Sequence, residues 1–435
     1  MLTRALIAEL AGAEAPGEPL QAAQGVSFHS DRVRPNDAFF AIAGERGHGI
    51  DFADKALQAG ASFIVSDRPH PRGVEVPDPK ATLIALGQHA RNRLHGAVIG
   101  VTGSSGKTST KTMIAKALAA PASPGNFNTP LALSEVLVRH WLAAGDKSDA
   151  PLVLELGIDH VGEMALLVSV AKPTHGVLTL IAPAHLDGLV DTATIAREKG
   201  RLLDAAAQTY AGAACARYLT AEQLRRCLLY GLAEDEGARA TVTVLADGAR
   251  GPTLSYKGVA FDLPYPGRAM ARNAAGALAV AEALGVEPAV AAKRLESVRL
   301  EPGRLEAIKL GELTILDDSY NSNPASAAVA LEVLRASPPP RAAILGDMLE
   351  LGREAEAHHR RLGDSTRGLE RVIAIGAHAG DIRYGNPRAE AYATLEDAYA
   401  AVQGLPRQGT VLIKGSRGTR LERVVSYLKG ATVAP

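Results

Sequence analysis

Short apolar runs alternate with amphipathic stretches along most of the chain, which is the pattern of an α/β protein. In the first half, strands are predicted over 39–42, 62–66, 97–102, 152–155 and 176–180. Helices are predicted over 51–59 and 81–94. Because strands and helices alternate after residue 96, we expect βαβ units and a parallel sheet there.

The pattern changes in the second half. Residues 240–263 form short alternating segments broken by Gly and Pro, which predicts antiparallel hairpins, and Ala-rich helices follow over 268–284 and to about 298. The turn Glu301–Arg304 is typical of a linker. After it, strands are predicted over 314–316, 341–345, 372–375 and 410–413. A helical stretch follows each of them, which predicts a doubly wound module.

The length of 435 residues agrees with three domains at about 150 residues each. We expect an α/β protein with a small N-terminal α/β domain at 1–95. A central parallel-sheet domain is expected at 96–300, and a C-terminal doubly wound, Rossmann-like domain at 301–435.

Charge and cysteine content narrow the cellular setting. Lys+Arg and Asp+Glu both number 47, and no basic stripe is present, so nucleic acid and anionic membrane are excluded as main partners. The two cysteines, Cys215 and Cys227, lack metal-ligand spacing and predict reduced, structural thiols. The charged N-terminus and the lack of a long apolar run predict neither signal peptide nor membrane insertion. We expect a cytoplasmic monomer.

The strongest chemical signal is Thr102-Gly103-Ser104-Ser105-Gly106-Lys107-Thr108-Ser109, which follows an apolar strand and opens a helix at Lys107. Glycines let backbone N–H groups converge on a phosphate, and the helix N-terminus adds positive charge. Lys107 can reach the β- and γ-phosphates, and the Thr108 hydroxyl can ligate Mg²⁺. Val101 replaces the first glycine of the ordinary P-loop, so this is a short form. The alternative is a Gly/Ser turn that only caps a helix.

Further candidate ligands lie at or after strand ends, where open parallel sheets place their ligands. Glu155 ends an apolar strand, His185 lies in the loop after the next strand, and Lys199 lies on a helix beyond it. Taken singly, Glu155 could be a surface carboxylate and His185 a loop histidine with satisfied hydrogen bonds. Lys199 could be a solvated lysine paired with Glu198 or Asp204.

Together with the P-loop, these residues resemble the motifs of the Mur ligases, the ATP-dependent amide-forming enzymes of peptidoglycan assembly. The similarity runs from about residue 25 to 425 and includes Asn273 in Arg-Asn-Ala-Ala, Arg304 in Pro-Gly-Arg-Leu-Glu, and Asp318. It implies ATP and two Mg²⁺ ions, one on Thr108 and Glu155 and one on His185. It also implies a carbamylated Lys199 at the second ion. By the same resemblance, Asn273 would touch the nucleotide, and Arg304 and Asp318 would close over its phosphates and ribose.

The segment Asp317-Asp318-Ser319-Tyr320-Asn321-Ser322-Asn323-Pro324 resembles the family member that adds D-alanyl-D-alanine to UDP-N-acetylmuramoyl-tripeptide. The resemblance implies an acyl-phosphate intermediate and dipeptide contacts from Asp318, Asn321, Ser322 and Asn323. It implies contacts to the muramoyl nucleotide from Ser30, Arg46, Gly47, Asn128 and Thr129. The same segment could also be an Asx-rich turn that caps a helix at Ser322 or Asn323.

Some positions depart from the family pattern. In His29-Ser30-Asp31-Arg32 only Ser30 keeps its usual place. Asn36 replaces a glycine and can also adopt a positive φ, and Arg272 replaces a common histidine. Another carboxylate–amine ligase, such as a folylpolyglutamate synthase or a different Mur ligase, is the alternative within the class. A P-loop ATPase that drives motion or partner binding is the alternative outside it, and it would hydrolyse ATP without an acceptor.

Overall fold

The computed structural model describes residues 2–14, 21–44, 47–248 and 250–430. Within them, three α/β units follow one another along the chain, built on a four-stranded, an eight-stranded and a six-stranded sheet. The predicted three-domain α/β class is therefore confirmed, while the boundaries at 95/96 and 300/301 stay predictions. In the described ranges, no helix is long and apolar enough to cross a membrane.

The first unit has a parallel sheet in the order β1-β2-β5-β6. Two further strands of two residues each, β3 and β4, pair antiparallel with each other. Its strands are β1 Gly25–Ser27, β2 Asp37–Phe40, β3 Ala43–Gly44, β4 Gly47–His48, β5 Phe63–Ser66 and β6 Gly73–Glu75. Its helices are α1 Arg4–Ala11, α2 Ala53–Gln58 and α3 Pro79–Arg91. Helix α3 begins earlier than predicted, because Asp78 caps it and Pro79 occupies its first turn.

The central sheet has the order β14-β13-β12-β11-β10-β9-β7-β8. Its strands are β7 Val98–Thr102, β8 Leu152–Glu155, β9 His175–Leu178, β10 Gln208–Gly212, β11 Cys227–Leu232, β12 Ala240–Ala246, β13 Thr253–Tyr256 and β14 Val259–Asp262. Strands β7 to β12 all pair in parallel with their neighbours among themselves. Strands β12, β13 and β14 form the predicted antiparallel hairpins. Strands β10 and β11 were not predicted. Both cysteines are buried free thiols, and burial raises the pKa of Cys215 to about 12.

Eight α-helices cover the central sheet within its described residues. They are α4 Lys107–Leu118, α5 Pro130–Ala144, α6 Glu163–Ala171, α7 Leu186–Leu189, α8 Thr192–Ala205, α9 Ala221–Arg226, α10 Arg268–Ala283 and α11 Pro288–Leu295. The buried face of β7 packs against α4, and α4 packs in turn against α10, which fixes the turn between β7 and α4. The carboxyl ends of β7, β8 and β9 meet at one edge of the sheet.

The third unit has the strand order β15-β16-β20-β17-β18-β19, with only the β15–β16 pair antiparallel among the described strands. Its strands are β15 Glu306–Leu310, β16 Leu313–Asp318, β17 Arg341–Gly346, β18 Arg371–Ile375, β19 Glu390–Tyr392 and β20 Gly409–Lys414. Its helices are α12 Pro324–Ala336, α13 Ala355–Asp364, α14 Ala379–Gly385, α15 Tyr399–Gln403 and α16 Glu422–Leu428. The doubly wound prediction is confirmed.

Buried arginines join the first unit to the second. Arg139 on α5 donates to both carboxylate oxygens of Asp37, at 2.6 and 3.1 Å, and to the Val26 carbonyl at 2.6 Å. Arg91 on α3 donates to the carbonyls of Ala171 and Lys172 at the end of α6. A hydrophobic core also runs without a break through both units. These contacts join the first unit to the second through both hydrogen bonds and apolar packing.

Candidate active site

The turn between β7 and α4 is a phosphate loop in its geometry. Gly103 has a φ of +152°, and a Cβ atom there would lie 1.9 Å from the Thr179 hydroxyl. Gly106 has a φ of +81°, and a Cβ atom there would lie 3.1 Å from the side-chain oxygen of Asn273. The loop therefore needs both glycines. Asn273 on α10 packs against the loop, and α4 begins at Lys107 as predicted.

Lys107 and Ser104 are held differently within this loop. The Lys107 ammonium donates to the Gly103 carbonyl at 2.9 Å, and burial lowers its pKa. The Ser104 hydroxyl donates to the Ala182 carbonyl at 2.7 Å and accepts from the Ala182 N–H at 3.0 Å. Ser104 thus ties the loop to the segment that leads to His185, whereas Lys107 folds back over the loop where a phosphate would lie.

Glu155 is the best-connected carboxylate of the site. The Thr108 hydroxyl donates to its Oε2 at 2.9 Å, and the Asn128 amide donates to its Oε1 at 3.2 Å. Its backbone N–H donates to the Ser123 hydroxyl at 3.1 Å. The side chain is 3% exposed, so the interpretation as a surface carboxylate is wrong. Thr108 and Glu155 together offer the hard oxygen ligands that Mg²⁺ prefers.

A second lysine of α4 lies against the same carboxylate. Lys111 is 2% exposed, its ammonium lies 3.5 Å from Glu155 Oε2, and it donates to the Gly125 carbonyl at 2.7 Å. Burial lowers the pKa of Lys111, and the Glu155 charge opposes that shift. Lys111 therefore joins Glu155 to the 125–130 loop. The sequence carried a signal for it, since Lys111 follows Lys107 by one helical turn.

His185 lies in a different group. It has a φ of +52°, its Nδ1 lies 3.1 Å from Asp159, and it contacts the carboxylate of Glu350 from the third unit. Burial lowers its pKa, with Lys107 adding to the effect. In the described part of the chain, no three His, Cys, Asp or Glu side chains converge as a metal-binding group. The structure therefore does not bring His185 and Glu155 into one ligand set.

Lys199 on α8 is fully buried, and its ammonium nitrogen has no hydrogen-bond partner among the described residues. Burial, followed by the charge of Lys107, holds the pKa of Lys199 well below its usual range. Glu198 accepts instead from the Gly162 N–H at 2.9 Å, and Asp204 accepts from Gln223 at 2.9 Å. The interpretation of Lys199 as a solvated, paired lysine is therefore wrong.

The third unit closes over the phosphate loop. Arg304 donates to the Thr108 hydroxyl at 3.1 Å, and the Asn323 amide donates to the Ser104 carbonyl at 3.2 Å. The Leu186 N–H donates to the Glu350 carbonyl at 2.9 Å. These contacts come from loops at the carboxyl edge of the third sheet, so two carboxyl edges face each other across the site.

The Asp317–Pro324 segment forms the predicted Asx-rich cap. Asn323 accepts from the Ser326 N–H at 2.9 Å, in a capping box at the start of α12. Asp318 accepts from Lys414 at 2.6 Å, and Lys414 also donates to the Asn321 carbonyl at 3.0 Å. Ser322 is buried. Cap formation is confirmed, and dipeptide contacts from Asp318, Asn321, Ser322 and Asn323 stay predictions.

The residues predicted to bind the muramoyl nucleotide lie near the boundary between the first and second units. Ser30 begins a short 3₁₀ turn, Gly47 lies in β4, and Thr129 caps α5 beside Asn128. The guanidinium of Arg32 lies 4.8 Å from the ring centre of Phe127, which joins that turn to the 125–130 loop. Arg46 lies outside the described residues. Asn36 has a φ of +67°, as predicted.

Some site residues were missed by sequence reasoning. Asp159 and Glu350 reach His185 only through the folding of distant loops, and Glu350 belongs to another unit. Arg272, which replaces a common histidine, forms two hydrogen bonds of 2.7 Å with Asp235. No local spacing could have predicted these pairs.

The fold and the site define a P-loop nucleotide-binding enzyme whose third domain completes the phosphate site. Family models cover most of the chain: the Mur ligase family catalytic domain at 23–93, the Mur ligase middle domain at 101–281, and the Mur ligase glutamate ligase domain at 303–417. The chain belongs to the Mur ligase family.

Within that family, the chain is similar to proteins of one name. It is 30% identical to the UDP-N-acetylmuramoyl-tripeptide–D-alanyl-D-alanine ligase of Escherichia coli, over 98% of this chain and 97% of that one. A crystal structure of MurF from Acinetobacter baumannii has a TM-score of 0.84 at 26% identity, covering 99% of both chains. MurF ligase from Thermotoga maritima in complex with ADP has a TM-score of 0.80 at 26% identity, covering 94% of this chain and 97% of that one.

Proposed function

We propose that this protein joins D-alanyl-D-alanine to a UDP-N-acetylmuramoyl-tripeptide at the expense of ATP. The observation that carries the proposal is the phosphate loop facing Arg304 and the Asp317–Pro324 segment across one cleft. Similarity over nearly the whole chain to ligases of that name supports it. ATP, a carboxylate and an amine can meet only where the two sheet edges face each other.

The reaction takes place in two steps. An oxygen of the tripeptide carboxylate attacks the γ-phosphorus of ATP, ADP leaves, and an acyl phosphate forms. The amine of the dipeptide then attacks the acyl carbon, phosphate leaves, and the amine loses a proton as the amide bond forms. Both steps bring anions together, so Lys107 and Arg304 serve to stabilise charge on the transferred phosphoryl group. The planar fork of Arg304 suits phosphate oxygens.

The residues present fit a magnesium ion at the first of the two predicted positions. Thr108 Oγ1 and Glu155 Oε2 lie 2.9 Å apart beside the phosphate loop, and both are hard oxygen donors. A bound Mg²⁺ would neutralise phosphate charge there. Asn128 and Lys111 hold the Glu155 carboxylate toward Thr108, so the ligand pair is formed before nucleotide arrives.

The second position needs an extra anion, and we propose that a carbamate on Lys199 supplies it. Carbon dioxide adds only to a neutral amine, and the lowered pKa of Lys199 favours that form. The addition releases one proton and gives an anionic carbamate with two oxygens. The Lys199 ammonium nitrogen has no hydrogen-bond partner among the described residues, so formation of a carbamate would break no hydrogen bond to them. With His185 it would offer the ligands of a second Mg²⁺.

The carbamate proposal predicts that Lys199→Ala is nearly inactive and that formate or acetate partly restores its activity. The matched control is Lys107→Ala, which the same carboxylates should not restore. ¹³C NMR of wild-type enzyme in ¹³C-labelled bicarbonate should show a carbamate resonance that Lys199→Ala lacks. Normal activity in Lys199→Ala, or no difference between the two spectra, would overturn the carbamate.

A screen of amine acceptors tests the proposed function itself. ADP release should require both the UDP-tripeptide and D-alanyl-D-alanine. Single amino acids, glutamate included, should not replace the dipeptide. Activity with glutamate and a folate would favour a folylpolyglutamate synthase. ADP release without any acceptor would favour an ATPase that drives motion or partner binding.

A further inference from the structure

Two guanidinium groups gather at the ring of Tyr320, inside the Asp317–Pro324 segment. The Cζ atom of Arg304 lies 3.8 Å from the ring centre, and that of Arg417 lies 5.7 Å from it. Both distances fall within the range of cation–π attraction, about 6 Å. Since two cations near one ring repel each other, the arrangement is suited to an anion that binds beside them.

The protein does not supply that anion from the same segment. Asp318 is paired with Lys414 at 2.6 Å, and Asp317 accepts from the hydroxyl of Ser319 at 2.6 Å and from its N–H at 3.2 Å. Across the described ranges, no ion pair involves Arg417, and its side chain is exposed. Among the described residues, no carboxylate therefore engages the Arg417 guanidinium, which leaves it accessible to an anionic group of a ligand.

The two arginines reach the Tyr320 ring from different elements. Arg304 donates to Thr108 and so belongs to the phosphate end. Arg417 follows the carboxyl end of β20, directly after Ser416, whose hydroxyl contacts the carbonyl of Ser322 at 3.4 Å. This places Arg417 beside the cap of α12, on the third-domain side of the cleft.

We propose that Arg417 binds the terminal carboxylate of the incoming dipeptide and thereby selects a dipeptide with a free C-terminus. The inference rests on the proposed function. While the amine of the dipeptide reaches the activated carbonyl near the phosphate loop, its carboxylate lies about 7 Å away, the length of two extended residues. Arg417, which follows β20 beside the cap of α12 and has no ion pair among the described residues, is placed to receive it with the paired N–H groups of its guanidinium.

The test compares D-alanyl-D-alanine with its C-terminal amide in wild-type enzyme and in Arg417→Gln. Loss of a charge-assisted hydrogen bond corresponds to about a 10- to 100-fold loss of affinity. Arg417→Gln should therefore raise the KM for the dipeptide about 10- to 100-fold and leave the KM values for ATP and the UDP-tripeptide unchanged. With the amide, wild type and variant should have the same KM, and Arg417→Lys should lie between them with the free dipeptide.

Arg407→Gln is the matched control, because Arg407 is also exposed but precedes β20 at the opposite edge of the sheet. Its kinetic constants should equal those of wild type. The inference is overturned if Arg417→Gln raises the KM for the dipeptide and for the amide equally, changes the KM for ATP or the UDP-tripeptide instead, or has no effect. If the wild type forms no product with D-alanyl-D-alanine, the proposed function fails, and this inference fails with it.

Discussion

The two buried lysines of the site differ in what their ammonium groups contact. Lys111 donates to the Gly125 carbonyl and lies against Glu155, so its charge is compensated. Lys199 has no hydrogen-bond partner among the described residues. A buried charge without a partner is costly, so Lys199 is the one that should be neutral or modified. Both are lysines on helices in the sequence, and only their three-dimensional surroundings separate them.

Replacement of Lys107 tests the phosphate loop. Lys107→Ala should lower kcat by about 10³-fold or more, because it removes a cation from the transferred phosphoryl group. The fold should be unaffected, since the side chain folds over the loop rather than into the core. Steady-state kinetics and circular dichroism check both points, with Lys116→Ala on the same helix as control. Activity within tenfold of wild type would contradict the assignment.

Lys111→Met should weaken the connection between the 125–130 loop and Glu155, leaving only the hydrogen bond from Asn128. One charge-assisted hydrogen bond is lost, so we expect the KM for the UDP-tripeptide to rise about tenfold or more, with a smaller effect on the KM for ATP. Lys116→Met provides the control. A variant that loses thermal stability but keeps its KM for the UDP-tripeptide would show that Lys111 serves the fold alone.

At the scale of the helices and strands, the conformation of the loop after β17 depends on one buried histidine. His359 on α13 donates from Nδ1 to the Ala355 carbonyl at 2.7 Å and accepts at Nε2 from the Met348 N–H at 2.9 Å. It thereby fixes the loop that carries Glu350 to His185. Protonation of His359 would place an N–H against the Met348 N–H, and burial already lowers its pKa.

This histidine predicts a pH dependence of stability. As pH falls from about 6.5, His359 becomes protonated in the unfolded state, whereas in the native state it stays neutral until the pH reaches its lower pKa. The unfolded state therefore binds more protons over this range, and the free energy of unfolding falls. The stability difference between wild type and His359→Gln should therefore shrink over that range. Denaturant titrations at several pH values measure it, and other buried histidines cancel in the comparison. Exposed His160→Gln should not change the slope, and parallel profiles for wild type and His359→Gln would contradict the prediction.

Most elements could be predicted from the sequence, because their apolar periodicity is local. Strand β8 and the start of α4 fall where predicted, as do the hairpins of β12 to β14. Strands β10 and β11 were not predicted from the sequence. Glu155 could be predicted because a carboxylate ending an apolar strand is a local signal. Its contact with Asn128 could not be predicted, because Asn128 comes from a distant loop, whereas Lys111 follows Lys107 by one helical turn.

At the scale of the whole molecule, we expect the third unit to move relative to the other two when ligands bind. Arg139 and Arg91 bury hydrogen bonds across the first boundary, whereas the polar contacts across the second gather at the phosphate loop and His185. ATP must enter where those second contacts lie. We therefore predict that the third unit opens for binding, with Glu301–Gly303 as the linker.

Small-angle scattering tests this closure. Binding of a nonhydrolysable ATP analogue and the UDP-tripeptide should reduce the radius of gyration, because ligand phosphates bridge Lys107 and Arg304 across the cleft. Arg304→Gln with the same ligands should compact less. An unchanged radius of gyration in saturated wild-type protein would count against domain closure.

The central claim is that ATP activates the tripeptide carboxylate before the dipeptide attacks. A UDP-tripeptide labelled with ¹⁸O in both oxygens of that carboxylate tests it directly, with the product phosphate and amide examined by mass spectrometry. The account predicts one labelled oxygen in the phosphate released for each amide bond formed, and the other in the amide carbonyl. Unlabelled phosphate from a reaction that forms the amide would contradict it.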